Sequence, residues 1–313
     1  MSDPRKPIKV PNRRLAAPVA KPRAKKAVGV AGPSRPSSYR GSLGMVVLDF
    51  ANPFFGEVAS AAEHAAEQSD LGMILAHSSG STAKQEAMIE QLIERGVEGI
   101  LVTPLDASAS ALKKLGSLPI PVVLVDCSSP IDSIGSVSVD NRQGGALAGQ
   151  HLAACGHKRI AMLNGPASIQ ACGERLGGVF EGVKVAGLSA KAVHEVVVPA
   201  TNEYEGQRAL DRVLKTGATA VFCANDLLAI GLIRAATERG IDIPRDLSVL
   251  GYDDIGLAYA LNPPLTTIRQ PMRELGSLAA RQLIAQVDGT RRPRSQELDP
   301  QLVIRESTSD VAN

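Results

Sequence analysis

The chain has 313 residues, 44% of them hydrophobic, 3% aromatic and none of them Trp, so its cores must be built from Val, Ile, Leu and Ala. That length favours two lobes over a single domain. The net charge of +2 conceals an asymmetry: residues 1–40 carry 11 Lys or Arg against a single Asp, and the remainder carries 23 basic and 31 acidic residues. No apolar run approaches the ~20 residues that a membrane span needs. The basic N-terminus has no apolar segment of the secretory type behind it, so a cytoplasmic location is expected.

Residues 1–41 hold seven of the 20 Pro, at positions 4, 7, 11, 18, 22, 33 and 36, and show no helical or strand period. The segment is expected to be a disordered basic tail. From residue 43 onward, strand-length apolar runs alternate with helical patterns. Strands are predicted over 43–49, 72–76, 98–102, 121–126, 158–163, 192–198, 218–223 and 247–251. Helices are predicted over 53–68, 82–95, 106–116, 141–155, 173–186, 203–215, 226–239 and 271–287. Asn52-Pro53, Asp140 and Asp226 supply start signals, and Asp226 is expected to cap its helix. Gly96, Gly156, Gly187, Gly217 and Gly240 each follow a helical run as a stop.

Continuous rather than alternating apolar strands in β-α repeats imply parallel sheets covered on both faces. The predicted fold is α/β: two doubly wound parallel-sheet lobes enclosing a cleft. The N-terminal lobe is assigned to 42–164 plus 265–288, and the C-terminal lobe to 165–264 plus 289–308. Pro263-Pro264 followed by Leu-Thr-Thr-Ile-Arg-Gln reads as an extended segment crossing between them.

Two of only five Phe, Phe54 and Phe55, stand side by side at the first strand-to-helix turn. Ligands of open α/β sheets bind outside the carboxyl ends of the strands. One of the two is expected to face a ligand and the other to pack in the core. The four Cys (Cys127, Cys155, Cys172, Cys223) form no C-x-x-C pair and read as buried free thiols of a reducing compartment. Cys172 could rim the cleft, although packing is the simpler reading. His64, His77, His151, His157 and His194 are scattered without metal spacing. No G-x-S-x-G, Walker-type, H-E-x-x-H or G-x-G-x-x-G motif is present. Neither an enzyme nor a metal or organic cofactor is expected.

Eight blocks in order resemble one family. They are Asn52-Pro53-Phe54-Phe55, Gly96-Val97-Glu98-Gly99-Ile100-Leu101, Val139-Asp140-Asn141-x-x-Gly144-Gly145 and Gly156-His157-Lys158-Arg159-Ile160, then Glu174-Arg175-x-x-Gly178, Ala224-Asn225-Asp226-x-x-Ala229-x-Gly231, Gly251-Tyr252-Asp253-Asp254 and Pro264-Leu265-Thr266-Thr267-Ile268. Together they cover about residues 42–308. They resemble the effector-binding region of lactose/galactose-repressor (LacI/GalR) type transcriptional regulators. The resemblance implies a periplasmic-binding-protein-like type I fold, a small effector such as a sugar, and a homodimer. It implies effector contacts by Phe54 and Phe55 from one lobe, Asp140 near the hinge, and Arg175, Asn225 and Asp253 from the other lobe. Carboxylates, Asn and the guanidinium fork suit a polyol. Asp254 is expected to serve loop or inter-lobe bonding, and His157 a helix C-terminus. Arg175→Ala is expected to abolish ligand stabilisation while leaving the apo fold intact.

Two departures stand out. Where the family often carries an aromatic lid, this chain has Thr201, so stacking is one-sided unless Tyr204 substitutes. No helix-turn-helix is recognisable in residues 1–40, so DNA binding is not supported by matching residues. The chain could lack its reader, bind DNA non-specifically through the basic tail, or carry an out-of-frame N-terminal reading. The alternative function is a sugar-binding protein without DNA binding, either transport-type or a dimerising partner. The dimer surface is expected on the outer helices of the first lobe, 59–66 and 82–95. The face formed by Ala59, Ala62 and Ala66 could equally pack on its own lobe.

Overall fold

The computed structural model describes residues 39–311. Nearly all of the predicted basic tail lies outside the described residues. In chain order come β1 (Gly41–Val47), α1 (Pro53–Glu67), β2 (Leu71–His77), α2 (Thr82–Glu94), β3 (Ile100–Val102), α3 (Ala109–Gly116), β4 (Val122–Val125) and β5 (Gly135–Val139). Then follow α4 (Asn141–Ala154), β6 (Ile160–Asn164), α5 (Gln170–Val185), β7 (Val193–Val197), α6 (Glu203–Lys215), β8 (Ala220–Cys223), α7 (Asp226–Glu238), β9 (Ser248–Asp253), α8 (Gly256–Ala260) and β10 (Thr266–Arg269). Last are α9 (Met272–Val287), β11 (Ser295–Leu298) and β12 (Gln301–Val303).

The strands form two six-stranded sheets, ordered β11-β5-β4-β3-β1-β2 and β12-β10-β9-β8-β6-β7. The first is wholly parallel. The second is parallel except where β12 runs against β10. Strands such as β4 (Val-Val-Leu-Val) are buried on both faces, as a sheet covered by helices on either side requires. Helices α1 and α9 pack together over one face of the first sheet, and α2 and α3 cover the other with a separate apolar cluster around Ile89, Leu92 and Leu112. In the second lobe α4 pairs with α5 and α6 with α7 around one large core.

Local chemistry sets the boundaries. Asn52 caps α1 by accepting from the Phe54 amide at 3.0 Å, and Pro53 occupies the first turn. The cap of α7 is Asn225, not Asp226 as expected: Asn225 Oδ1 accepts from Leu228 N at 2.9 Å. Asp226 instead lies fully buried, accepting from the Ile255 amide at 2.9 Å and the Thr267 hydroxyl at 2.6 Å. The five glycines read as helix stops all have positive φ, Gly156 at 85° being typical.

The sheets divide the chain at different points from those predicted. The chain leaves the first lobe at Asp140, re-enters it at Gln270–Pro271, and leaves it again between β11 and β12. Helix α4 and strands β6 and β10 therefore belong with the second lobe, and β11 with the first. Parallel buried strands look alike in either sheet, so the apolar run 160–164 carried no mark of its side. Strand β5 (Gly-Ser-Val-Ser-Val) was not predicted, because its serines break the apolar run. Ser136 is nevertheless fully buried, and its hydroxyl is satisfied by Ser295 at 2.9 Å. Ala59, Ala62 and Ala66 are buried within their own lobe, where α1 meets α9, and do not form a free docking face.

Candidate functional site

The carboxyl ends of β1, β4, β6, β7, β8 and β9 converge on the cleft between the lobes, where the loops after parallel strands place ligand-contacting groups. A small inner chamber lies there. The first lobe walls it with Leu48, Asn52, Phe54, Phe55 and Asp126. The second lobe contributes Ile169, Cys172, Arg175, Thr201, Asn225 and Asp253.

Phe54 and Phe55 meet edge to face, with ring centroids 5.0 Å apart. Both also belong to the first-lobe core. Phe54 is the more deeply buried, and Phe55 alone of the pair extends into a second, outer chamber, consistent with one ring packing and the other facing the cleft. Asn225 combines two jobs: while its Oδ1 caps α7, its Nδ2 donates to the Thr201 carbonyl at 2.9 Å.

Arg175 projects from α5 and is almost fully buried. Its Nε donates to Asn141 Oδ1 at 2.8 Å, its Nη1 donates to the Ala224 carbonyl at 2.6 Å, and its guanidinium lies 3.6 Å from the centroid of the Tyr252 ring. Burial works against its charge, but the nearby Tyr252, Asp253 and Asp126 outweigh that effect and raise its pKa. Helix α5 can approach α4 closely because Gly145 and Gly178 stand at the crossing; a Cβ at either would run into the backbone of the other helix.

Two acids face this cation. Asp253 is held in a left-handed conformation at φ 114°. Its Oδ1 accepts from Gln270 Nε2 at 2.7 Å, and its Oδ2 accepts from Asn52 Nδ2 at 3.3 Å, the latter bond spanning the two lobes. Burial pushes its pKa up to about 6, against the pull of Arg175 and these two donors. Asp126, also left-handed at φ 58°, follows directly on β4. Burial pushes it up to about 7, Arg175 acting in the opposite direction and Asp253 and Glu174 reinforcing the rise. Its Oδ1 is buried without any hydrogen-bond partner. Strained backbone and an unpaired buried oxygen at a cleft are features that accompany function.

Five of the six residues expected at the site thus come together. Asp140 does not line the chamber: its Oδ1 accepts from Gln143 N at 2.7 Å and caps α4. The inward position belongs to its neighbour Asn141, which accepts from Arg175 and from Tyr252 Oη at 3.2 Å and donates to Glu174 at 3.2 Å. Tyr204 does not substitute for a lid. It lies exposed on α6, accepting from Arg208 at 2.6 Å. Cys172 rims the chamber as a buried thiol, its pKa raised by that burial. His157 binds Thr219 and the Ser309 carbonyl, and Asp254 pairs with Arg269 and Arg305, each at 2.6 Å. Sequence reasoning passed over Asn52, Asp126, Asn141 and Gln270. Asp126 had a readable signal: it is the first polar residue after an apolar strand, at the strand's carboxyl end.

Fold and cleft define a two-lobed ligand clamp of the periplasmic-binding-protein type. Residues 149–308 match the family model described as a periplasmic binding protein-like domain. The transcriptional repressor PurR of Photobacterium profundum is 34% identical over 280 residues, covering 86% of this chain and 82% of the relative. Among solved structures, a LacI family transcriptional regulator from Enterococcus faecium with bound ribose superposes with a TM-score of 0.75 at 29% identity, covering 87% of this chain and all of that one. A periplasmic binding protein/LacI transcriptional regulator from Alkaliphilus metalliredigens, complexed with D-xylulofuranose, gives 0.76 at 25% identity, over 86% of this chain and 99% of the other. The chain belongs to the LacI family of transcriptional regulators, with a periplasmic-binding-protein-like effector domain. The expectation of a regulator rather than an enzyme agrees with these relatives.

Proposed function

We propose that the chain is the sugar-sensing body of a cytoplasmic transcriptional regulator, and that a sugar bound between the lobes favours one inter-lobe angle. The observation that carries this reading is the inner chamber itself: a Phe wall faces Arg175, Asp253 and an Asp126 oxygen left without a partner. Hydroxyl groups can donate to the two carboxylates and accept from the guanidinium at once. Phe54, Phe55, Arg175, Asn225 and Asp253 are the proposed effector contacts, joined by Asp126. The effector shifts the lobes only by its differential affinity for the two arrangements.

The functional unit is a homodimer in this reading. Leu75 on the edge strand β2, and Leu257 and Tyr259 on α8, are exposed apolar side chains that a second copy would cover. Among the described residues no helix is long and apolar enough to cross a membrane.

The test is thermal unfolding of the full chain with D-ribose and other free or linked sugars. It is paired with fluorescence anisotropy on DNA from upstream of the chain's own gene, across salt. A sugar-dependent rise in melting temperature is expected. DNA binding that resists competitor and changes with sugar would make the chain a complete switch. Binding that collapses with salt would leave it a sensor acting through a partner. No stabilisation by any sugar would remove the reading.

A further inference from the structure

The inner chamber adjoins a larger outer chamber. Leu48, Asn52, Phe55, Ile169 and Thr201 line both, so the two spaces are divided only by these five side chains.

The two spaces also differ in chemistry. The inner one holds two carboxylates against one guanidinium, together with amide groups of Asn52 and Asn225. In the outer one, Ala51 and Leu105 face from the first lobe, and Pro166, Pro199 and Ala200 from the second, interspersed with small hydroxyls and amides. Its only ionisable lining residue is Asp49. Beside that lining, Lys84 donates to the Ser79 hydroxyl at 2.7 Å, and the His77 ring lies 3.8 Å from Asp49. A phosphate or carboxylate in the outer chamber would meet Asp49 and no cationic partner in its wall. One at the inner end would meet Asp126 and Asp253 as well as Arg175, whose guanidinium already donates to Asn141 and to the Ala224 carbonyl.

We propose that the effector is longer than a single sugar ring: a neutral glycoside or short oligosaccharide. Its hydroxyl-rich terminal ring sits in the inner chamber, and its glycosidic substituent occupies the outer one. This rests on the sugar reading above and narrows it. Thr201 is the residue that sets the length limit, because it stands on the boundary with a side chain too small to close it.

Isothermal titration of the full chain decides the matter, using four groups of probes. These are free D-ribose, D-xylose, D-glucose and D-galactose, disaccharides of these sugars, their methyl and nitrophenyl glycosides, and their phosphates. At least one neutral linked sugar is expected to bind about tenfold or more tighter than its own free monosaccharide, because the second group buries further surface. Thr201→Phe, and separately Ala200→Trp in case the first variant folds poorly, should reduce that preference to within about threefold. Free monosaccharides binding as well as every linked form would overturn the length proposal and leave the sugar reading standing. Preference for the phosphates would overturn the neutral class. Silence of every sugar would remove both readings together.

Discussion

The two walls of the cleft are made of different material. The first lobe presents Leu48, Phe54 and Phe55, rings already fixed by the core beneath α1, and one acid, Asp126. The second presents Arg175, Asn225 and Asp253, each tied by hydrogen bonds to neighbouring backbone or side chains. One wall supplies shape and the other supplies charge. The charges meet across the cleft only through Asp126 facing Arg175 and through the Asn52–Asp253 bond at 3.3 Å. Inter-lobe geometry is therefore most sensitive to the second wall, and changes there should reach both fold and ligand.

Arg175→Ala should have the largest effect. The sequence-based expectation of an intact apo fold does not survive the geometry, because the guanidinium holds Asn141, the Ala224 carbonyl and the Tyr252 ring. Its removal leaves the buried Asn141 oxygen and Ala224 carbonyl without their donor, a type of loss that costs about 1–3 kcal/mol for each group. Urea unfolding should show that fall, and sugar-dependent stabilisation should vanish with it. A variant as stable as the parent would mean that the cation is dispensable to the second wall.

A pair of glycine substitutions sharpens the contrast between the helices behind each wall. At Gly178 in α5 a Cβ would strike the Arg142 carbonyl of α4, so Gly178→Ala must push apart the two helices that position Arg175. Overpacking of this kind costs about 1–3 kcal/mol. At Gly56 in α1 a Cβ meets nothing within 4 Å. Gly56→Ala should therefore stabilise by up to about 1 kcal/mol through helix propensity alone. Thermal melts that move in the same direction for both would contradict the close packing of α4 on α5.

The same asymmetry explains what could be read in the sequence. Helix positions were legible almost throughout, since Asn52-Pro53, Asp140 and the stop glycines carry their own local signals. Phe54 and Phe55 were legible because rarity and position coincided. The second wall needed the family blocks: nothing in the local pattern of α5 distinguishes Arg175 from a surface arginine. Lobe boundaries were not legible, because β6 is as apolar as the strands of the other sheet and the Thr-Thr-Ile-Arg of β10 carries no mark of its side. Asp140, read as an effector contact, caps α4 in the fold while its neighbour Asn141 bonds Arg175, because one position at a helix start separates a capping side chain from one that points inward.

A pH titration isolates the first wall's single acid. Asp126 has an ordinary value of 3.8 in the unfolded chain and about 7 in the fold, so between these values the folded state holds a proton that the unfolded state has released. Stability from this source is fully present below about pH 4 and is lost as pH rises through about 7. Asp253 adds a loss of the same sign that is complete near 6. Asp126→Asn keeps the size of the side chain and tolerates the left-handed backbone at φ 58°. Below pH 4 the variant should therefore nearly match the parent. Between about pH 6 and 7 it should lack the parent's remaining decline, because the asparagine has no proton to lose while Asp253 has already ionised, and above about 7 the two should run parallel. Urea unfolding of both proteins across that range is the measurement. Equal slopes would mean that Asp126 is ionised in the fold, and that its attraction to Arg175 outweighs the cost of burial across the cleft.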